Sequence, residues 1–178
     1  MFDLISNSRV YIPLLLLLSL AMGVMSATPT SKPPVGIPNF HEVVPGIYRG
    51  AAPTKEGLQA LQKMKVKTII DLRIERGMAK KEQIIAEGMG FTFIHLPMGK
   101  EAPTQKQVDT LLATLAKAPK EPVFVHCQHG ADRTGSMIGI YRVQVQGWTF
   151  AQAWPEMRKY GFKPYLSELK EAVRSRVK

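Results

Sequence analysis

The stretch Pro122-Val123-Phe124-Val125-His126-Cys127-Gln128-His129-Gly130-Ala131-Asp132-Arg133-Thr134-Gly135 decides how the rest of the chain is read. Val123-Phe124-Val125 is a β-branched and aromatic run with a turn-prone start, the pattern of a buried strand. Residues 136–146 carry apolar side chains at helical spacing. The ten residues from His126 to Gly135 therefore bridge a strand and the N-terminus of a helix. Backbone N–H groups there lack intrahelical partners and the helix dipole adds partial positive charge, which suits a phosphate and also a thiolate. Cys127 is the candidate nucleophile.

The spacing supplies the rest of the chemistry. Five residues separate Cys127 from Arg133, enough for a cup with the sulfur at its floor and a guanidinium offering two donors at its rim. The backbone of Gln128, His129, Gly130, Ala131, Asp132 and Arg133 forms the cradle, and Gly130 lets the chain turn inward without a side chain in the way. Helix terminus and Arg133 both favour the nucleophilic thiolate. His126 is expected to orient the loop by hydrogen bonding, and the Thr134 hydroxyl to donate to the sulfur as it leaves. The implied reaction is phosphoryl transfer to Cys127 and hydrolysis of the resulting thiophosphate. It calls for no cofactor and no metal, and one cysteine with four scattered histidines is no zinc-binding pattern. His41 and His95 read as surface or satisfied core residues.

Outward from this loop, strand-like and helix-like segments alternate. A short first strand over 43–48 is broken by Pro45-Gly46, and a helix follows over 53–63. Residues 68–72 form a continuous apolar strand and 80–89 a helix ending at Gly90. A strand at 91–96, a loop at 97–103 and a helix at 104–116 capped by Thr104 come next, with helices near 149–160 and 164–177 after the nucleophile loop. The expected class is α/β: a central, mostly parallel sheet with helices on both faces, and the phosphate loop between the last strand and a helix. Ligands bind such sheets at the carboxyl ends of the strands. The strand at 68–72 feeds Asp71-Leu72-Arg73-Ile74-Glu75-Arg76 into the same end, with Lys80 and Lys81 close behind. Arg73, Arg76, Lys80 and Lys81 either join Arg133 at the mouth or pair with the intervening acids.

The 178 residues suffice for one domain with a sizeable core. Asp3 and Arg9 cancel within residues 1–27, so the net charge of +10 belongs to the remainder. It implies an anionic partner, expected to be a phosphorylated substrate and not nucleic acid. Arg9, an apolar stretch over 11–25 and small residues at Ser26-Ala27 have the layout of a secretory signal. The expected organisation is a signal at 1–27, a proline-rich linker at 28–39 and a catalytic domain at 40–178. The domain is exported, periplasmic or secreted, without stable membrane association after cleavage; an uncleaved N-terminal anchor is the alternative. A lone cysteine suits an oxidising compartment, where it has no partner in the chain. Oligomeric state has no signature in the sequence.

His126-Cys127, the five-residue spacing and Arg133-Thr134-Gly135 resemble the signature loop of the cysteine-dependent protein-tyrosine and dual-specificity phosphatases. Ile140-Tyr141-Arg142-Val143 with Gln146-Gly147-Trp148 is similar to small bacterial members. Val44-Pro45-Gly46-Ile47-Tyr48-Arg49-Gly50 and Thr68-Ile69-Ile70-Asp71-Leu72-Arg73 resemble the opening strands of that group and of its atypical plant and fungal branch. The resemblance implies a metal-independent phosphatase acting on phosphoproteins, or on inositol polyphosphates as phytase-like members do. A phosphate-binding module without turnover, and rhodanese-like or arsenate-reductase-like chemistry, are the rivals.

The family also implies a general acid upstream of the cysteine. Between residues 91 and 127 the acids are Glu101, Asp109 and Glu121. Glu121 lies at the wrong end of the sheet and Asp109 on a solvated helix face, which leaves Glu101 in the 97–103 loop as first choice. Asp132 inside the phosphate loop is its competitor. Trp154-Pro155-Glu156 imitates the Trp-Pro-Asp acid loop but follows the cysteine within a helical stretch, so Trp154 reads as core.

Overall fold

The computed structural model describes residues 33–177. The expected signal at 1–27 and residues 28–32 of the linker lie outside the described residues. Five strands form one sheet in the order β1-β2-β5-β3-β4, with β1 (His41–Val44), β2 (Ile47–Ala51), β3 (Thr68–Asp71), β4 (Thr92–His95) and β5 (Val123–Cys127). β1 and β2 are antiparallel, while the β2/β5, β5/β3 and β3/β4 pairings are parallel. The single broken strand expected at 43–48 is a hairpin. Pro45 presets the turn and Gly46 takes the positive φ of 83° that its second corner needs.

Alternation along the strands sorts the chemistry onto two faces. In β5, Val123, Val125 and Cys127 join the larger core, built with Met137, Ile138, Ile140 and Val173. Phe124 points the other way, into a core with Leu58, Leu61, Ile69 and Ala86. The helices α1 (Lys55–Lys63) and α2 (Arg76–Gly88) cover that second face, and α3 (Gln105–Leu115), α4 (Asp132–Gln144), α5 (Phe150–Lys159) and α6 (Ser167–Arg174) cover the first. α4 is buried on all sides from Thr134 to Val143, as a helix enclosed by sheet and neighbouring helices must be.

Thr104 caps its helix as expected, and two further threonines do the same. Thr54, Thr104 and Thr149 cap α1, α3 and α5, the last two as full capping boxes. Two boundaries differ from the pattern. α2 begins at Arg76 and not at 80, because Ala79 and Glu82 are buried and pull a polar first turn into the helix. α4 begins at Asp132 and not at 135, so Arg133 and Thr134 belong to its first turn. Near the start of the described residues, Ile37 is 3% exposed in the second core and the Thr54 N–H donates to Gly36 O. Residues 36–39 therefore pack with the folded unit and do not act as free linker.

Candidate active site

Cys127 ends β5, is 2% exposed and is the free cysteine of the described residues. The loop after it lies against β2. Gly130 has φ 66°, and a Cβ there would sit 2.4 Å from Gly50 C and 2.6 Å from Ala51 N. Only glycine permits that approach. The loop's carbonyls are tied down from below: Asn39 Nδ2 donates to His129 O (3.3 Å) and Gly130 O (3.1 Å), Arg49 Nη2 to Gly130 O (2.7 Å), and the Ala52 N–H to Gln128 O (3.4 Å). In a planar trans peptide, C=O and the next N–H point in opposite directions. Anchoring these oxygens outward leaves the N–H groups of His129, Gly130 and Ala131 facing into the cup, where an oxyanion is received.

Arg133 rises from the first turn of α4. Its Nη1 donates to Met98 O at 3.4 Å and lies 3.7 Å from Glu75 Oε2. Arg133, Asp132 and His129 line a cavity of about 530 Å³ over the loop, shared with Lys100, Glu101 and Lys163. Both acid candidates thus reach one mouth. Glu101 is exposed on the segment between β4 and α3, its carboxylate folded back over Gly99. Asp132 is half-buried and its Oδ1 accepts the Lys163 N–H at 2.8 Å, which fastens the segment before α6 to the phosphate loop. Glu156 is engaged elsewhere, in a 2.8 Å pair with Arg142. Trp154 is partly buried against Phe162 and Phe150.

Two expectations need correction. Arg73 is no rim residue. Pairing of Asp71 with His126 across β3 and β5 puts Asp71 on the α2 face, and Arg73, 5% exposed, meets Asp71 (2.8 Å) and Glu82 (2.6 Å) there. Arg76 and Lys80 line a different cavity with Phe93 and His95, and the exposed Lys81 lines neither. The cations that do reach the mouth beside Arg133 are Lys100 and Lys163, for which isolated lysines in loops offer no sequence signal. Thr134 Oγ1 is buried without a hydrogen-bond partner; the donation expected of it belongs to the step in which the sulfur leaves phosphorus.

His126, expected to orient the loop, lies on the opposite face of the sheet from the cup. Strand alternation turns it away from the cup, fully buried and stacked on Phe124 with centroids 5.4 Å apart. Its Nδ1 lies 3.4 Å from Cys127 O and its Nε2 3.1 Å from Glu82 Oε1, the latter not aligned for a hydrogen bond. Asp71, Glu82 and His126 are close enough to share a cation, and the Arg73 guanidinium occupies that role. Half-buried His95 donates from Nε2 to Arg73 O at 2.7 Å.

Burial pushes the Asp71 carboxyl up, but the Arg73 hydrogen bonds and the His126 charge outweigh it and hold it below the usual carboxylate value. A depressed carboxylate contributes stability that is present above its unfolded pKa, about 3.9, and is lost as pH falls through the folded value. Arg73→Met should lower unfolding free energy by about 3–5 kcal/mol, since it leaves two buried carboxylates unpaired. Urea unfolding should show the gap between wild type and Asp71→Asn constant above about pH 4 and narrowing below it.

Comparison with known proteins agrees with this geometry. The dual specificity protein phosphatase TpbA of Pseudomonas aeruginosa is 32% identical over 125 residues, 70% of this chain and 55% of that protein. The inositol diphosphatase SIW14 of Saccharomyces cerevisiae is 27% identical over 137 residues, 70% of this chain and 46% of that protein. The chain thus spans about half the length of these relatives. The crystal structure of P. aeruginosa TpbA superposes with a TM-score of 0.65 at 27% identity, covering 77% of this chain and 84% of that one. A TpbA variant solved in complex with pTyr matches with the same score over 76% and 83%. A family model described as DSP-PTPase phosphatase fused to NAD+ kinase matches residues 33–175, and the chain belongs to this DSP-PTPase family.

Proposed function

We propose that the chain is a metal-independent phosphomonoester hydrolase working through a cysteinyl-phosphate. The observation that carries the reading is Cys127 at the carboxyl end of β5, beneath the first turn of α4, with Arg133 on that turn. The thiolate attacks phosphorus, forming S–P while the ester P–O bond breaks, and an acid at the mouth gives its proton to the leaving oxygen. Water then attacks phosphorus, giving its proton to the now ionised acid, and the S–P bond breaks so that the thiolate returns with release of inorganic phosphate. Arg133 and the inward N–H groups bind the equatorial oxygens in both steps. Hydrolysis of an aryl phosphate in EDTA is the expected result. A strict metal requirement, or phosphate binding without product release, would sink the reading; so would turnover confined to thiosulfate or arsenate.

For substrate, phosphoproteins including phosphotyrosine come first, in line with the phosphotyrosine complex of TpbA. An inositol polyphosphate is the second reading. Lys100 and Lys163 beside Arg133 favour it, because a ring carrying several phosphates can engage cations that one phosphotyrosine leaves free. Lys163→Ala should then lower kcat/KM for inositol hexakisphosphate by about tenfold or more, the size of one charge-assisted contact, and change a phosphotyrosine peptide far less. Added salt should suppress the polyphosphate reaction more steeply. Equal sensitivity of both substrates would favour the phosphoprotein. Export is proposed on the layout of residues 1–27, and no described helix is long and apolar enough to cross a membrane. Periplasmic fractionation of the tagged full chain tests it.

A further inference from the structure

Arg49 has so far appeared only as one anchor of the Gly130 carbonyl, yet it is the largest of the fully buried side chains, 1% exposed. β2 pairs with β5 so that Arg49 faces Val125 and Ala51 faces Cys127, which puts the Arg49 side chain on the α4 face, the face that carries the nucleophile. It runs beneath the first turn of α4: Nη2 donates to Gly130 O at 2.7 Å and lies 3.9 Å from where a Cβ on Gly135 would sit. The guanidinium stacks 4.5 Å over the Tyr160 ring. Its Nε and Nη1 are buried without a hydrogen-bond partner.

A buried cation with two idle donors, placed near the positive end of a helix, is costly on both counts. The facing groups do not balance it. Glu156 is committed to Arg142, and Lys159 and His41 also pack against the Tyr160 ring. Burial pushes the guanidinium down to about 10, with Glu156, Tyr160 and Cys127 drawing it back, so it stays charged at neutral pH. The anion that repays this arrangement is the one the site forms itself: a thiolate at Cys127, then phosphate above it.

We infer that Arg49 is a positioning residue for the reaction. It holds the Gly130 carbonyl out of the cup so that the Ala131 N–H faces the phosphate, and it supplies positive charge behind the Cys127 thiolate. The inference rests on the hydrolase reading for the identity of the reaction, but its test does not need turnover. Thiolate formation is followed by ultraviolet absorbance against pH with Cys127→Ser as reference, and inorganic phosphate binding by calorimetry. Groups able to contribute to that titration are Arg133, Asp132 and Glu101 at the mouth and His126 behind the strand, all unchanged between variants. In Arg49→Met the thiolate transition should move up by about one pH unit, the size of one lost charge contact, and phosphate binding should weaken about tenfold. Arg49→Lys keeps the charge and should retain most of the transition while losing the phosphate affinity. A Met variant with wild-type transition and phosphate affinity and only a lower Tm would overturn the inference and leave Arg49 a packing residue. Should the Met variant not fold, unchanged phosphate affinity in Arg49→Lys overturns it instead. A wild type that hydrolyses no phosphate ester would sink the hydrolase reading and leave both readouts to judge Arg49.

Discussion

Replacing Cys127 by serine should abolish aryl phosphate hydrolysis, a loss of about 10⁴- to 10⁶-fold in kcat, while inorganic phosphate still binds. The size follows from removing a covalent nucleophile whose partners act only with it. Serine keeps the shape of the floor of the cup but presents a neutral hydroxyl, a far weaker nucleophile than a thiolate, and His126, its neighbour in sequence, points to the other face. Binding survives because the N–H groups of His129, Gly130 and Ala131 are aimed by Asn39, Arg49 and the Ala52 N–H, none of which touches the sulfur's proton. Absence of the negative thiolate should if anything favour the phosphate dianion. Residual turnover within a hundredfold of wild type would mean that Cys127 is not the nucleophile. Rapid-quench trapping of a phosphorylated Cys127 in the wild type gives the same answer from the other side.

The nucleophile loop was legible because its chemistry is local: a strand, a turn with glycine and a helix start, all within ten residues. The mostly parallel sheet and its two covered faces followed from alternation of strands and helices, with Thr68–Asp71 buried throughout as an apolar run predicts. Residues whose roles depend on facing were not legible. Arg73 sits two residues after Asp71 and looks like a rim cation, but strand parity turns both toward α2, where Glu82 closes the pair. Arg49 lies in a resemblance motif without a visible function, although a cation at an inward position between Ile47 and Ala51 is itself a signal. Asn39 reads as linker because four prolines dominate 28–39, and only the fold brings it to His129 and Gly130. Lys100 and Lys163 reach one mouth from segments more than sixty residues apart, a closeness that spacing along the chain cannot express.

Glu101→Gln should lower kcat by about 10²- to 10⁴-fold for an alkyl phosphate, the usual worth of a general acid. The effect should be much smaller for a p-nitrophenyl ester, whose leaving group scarcely needs a proton, and the basic limb of the kcat profile should flatten. Glu101 and Asp132 line the same cavity, so proximity does not separate them; their engagements do. Asp132 is fixed, accepting the Lys163 N–H on Oδ1, and its loss should loosen the segment before α6 as well as the mouth. Asp132→Asn should therefore lower Tm and affect alkyl and aryl esters alike. Glu101 is exposed, makes no hydrogen bond among the described residues' side-chain contacts to hold it, and sits on the segment between β4 and α3 at the mouth. Its present position depends on the bare Cα of Gly99, where an added Cβ would collide with the carboxylate. Gly99→Ala must displace that flexible carboxylate and should reproduce part of the Glu101→Gln defect with the same dependence on leaving group. Near wild-type alkyl phosphatase activity in Glu101→Gln, together with an ester-selective collapse in Asp132→Asn, would transfer the proton to Asp132.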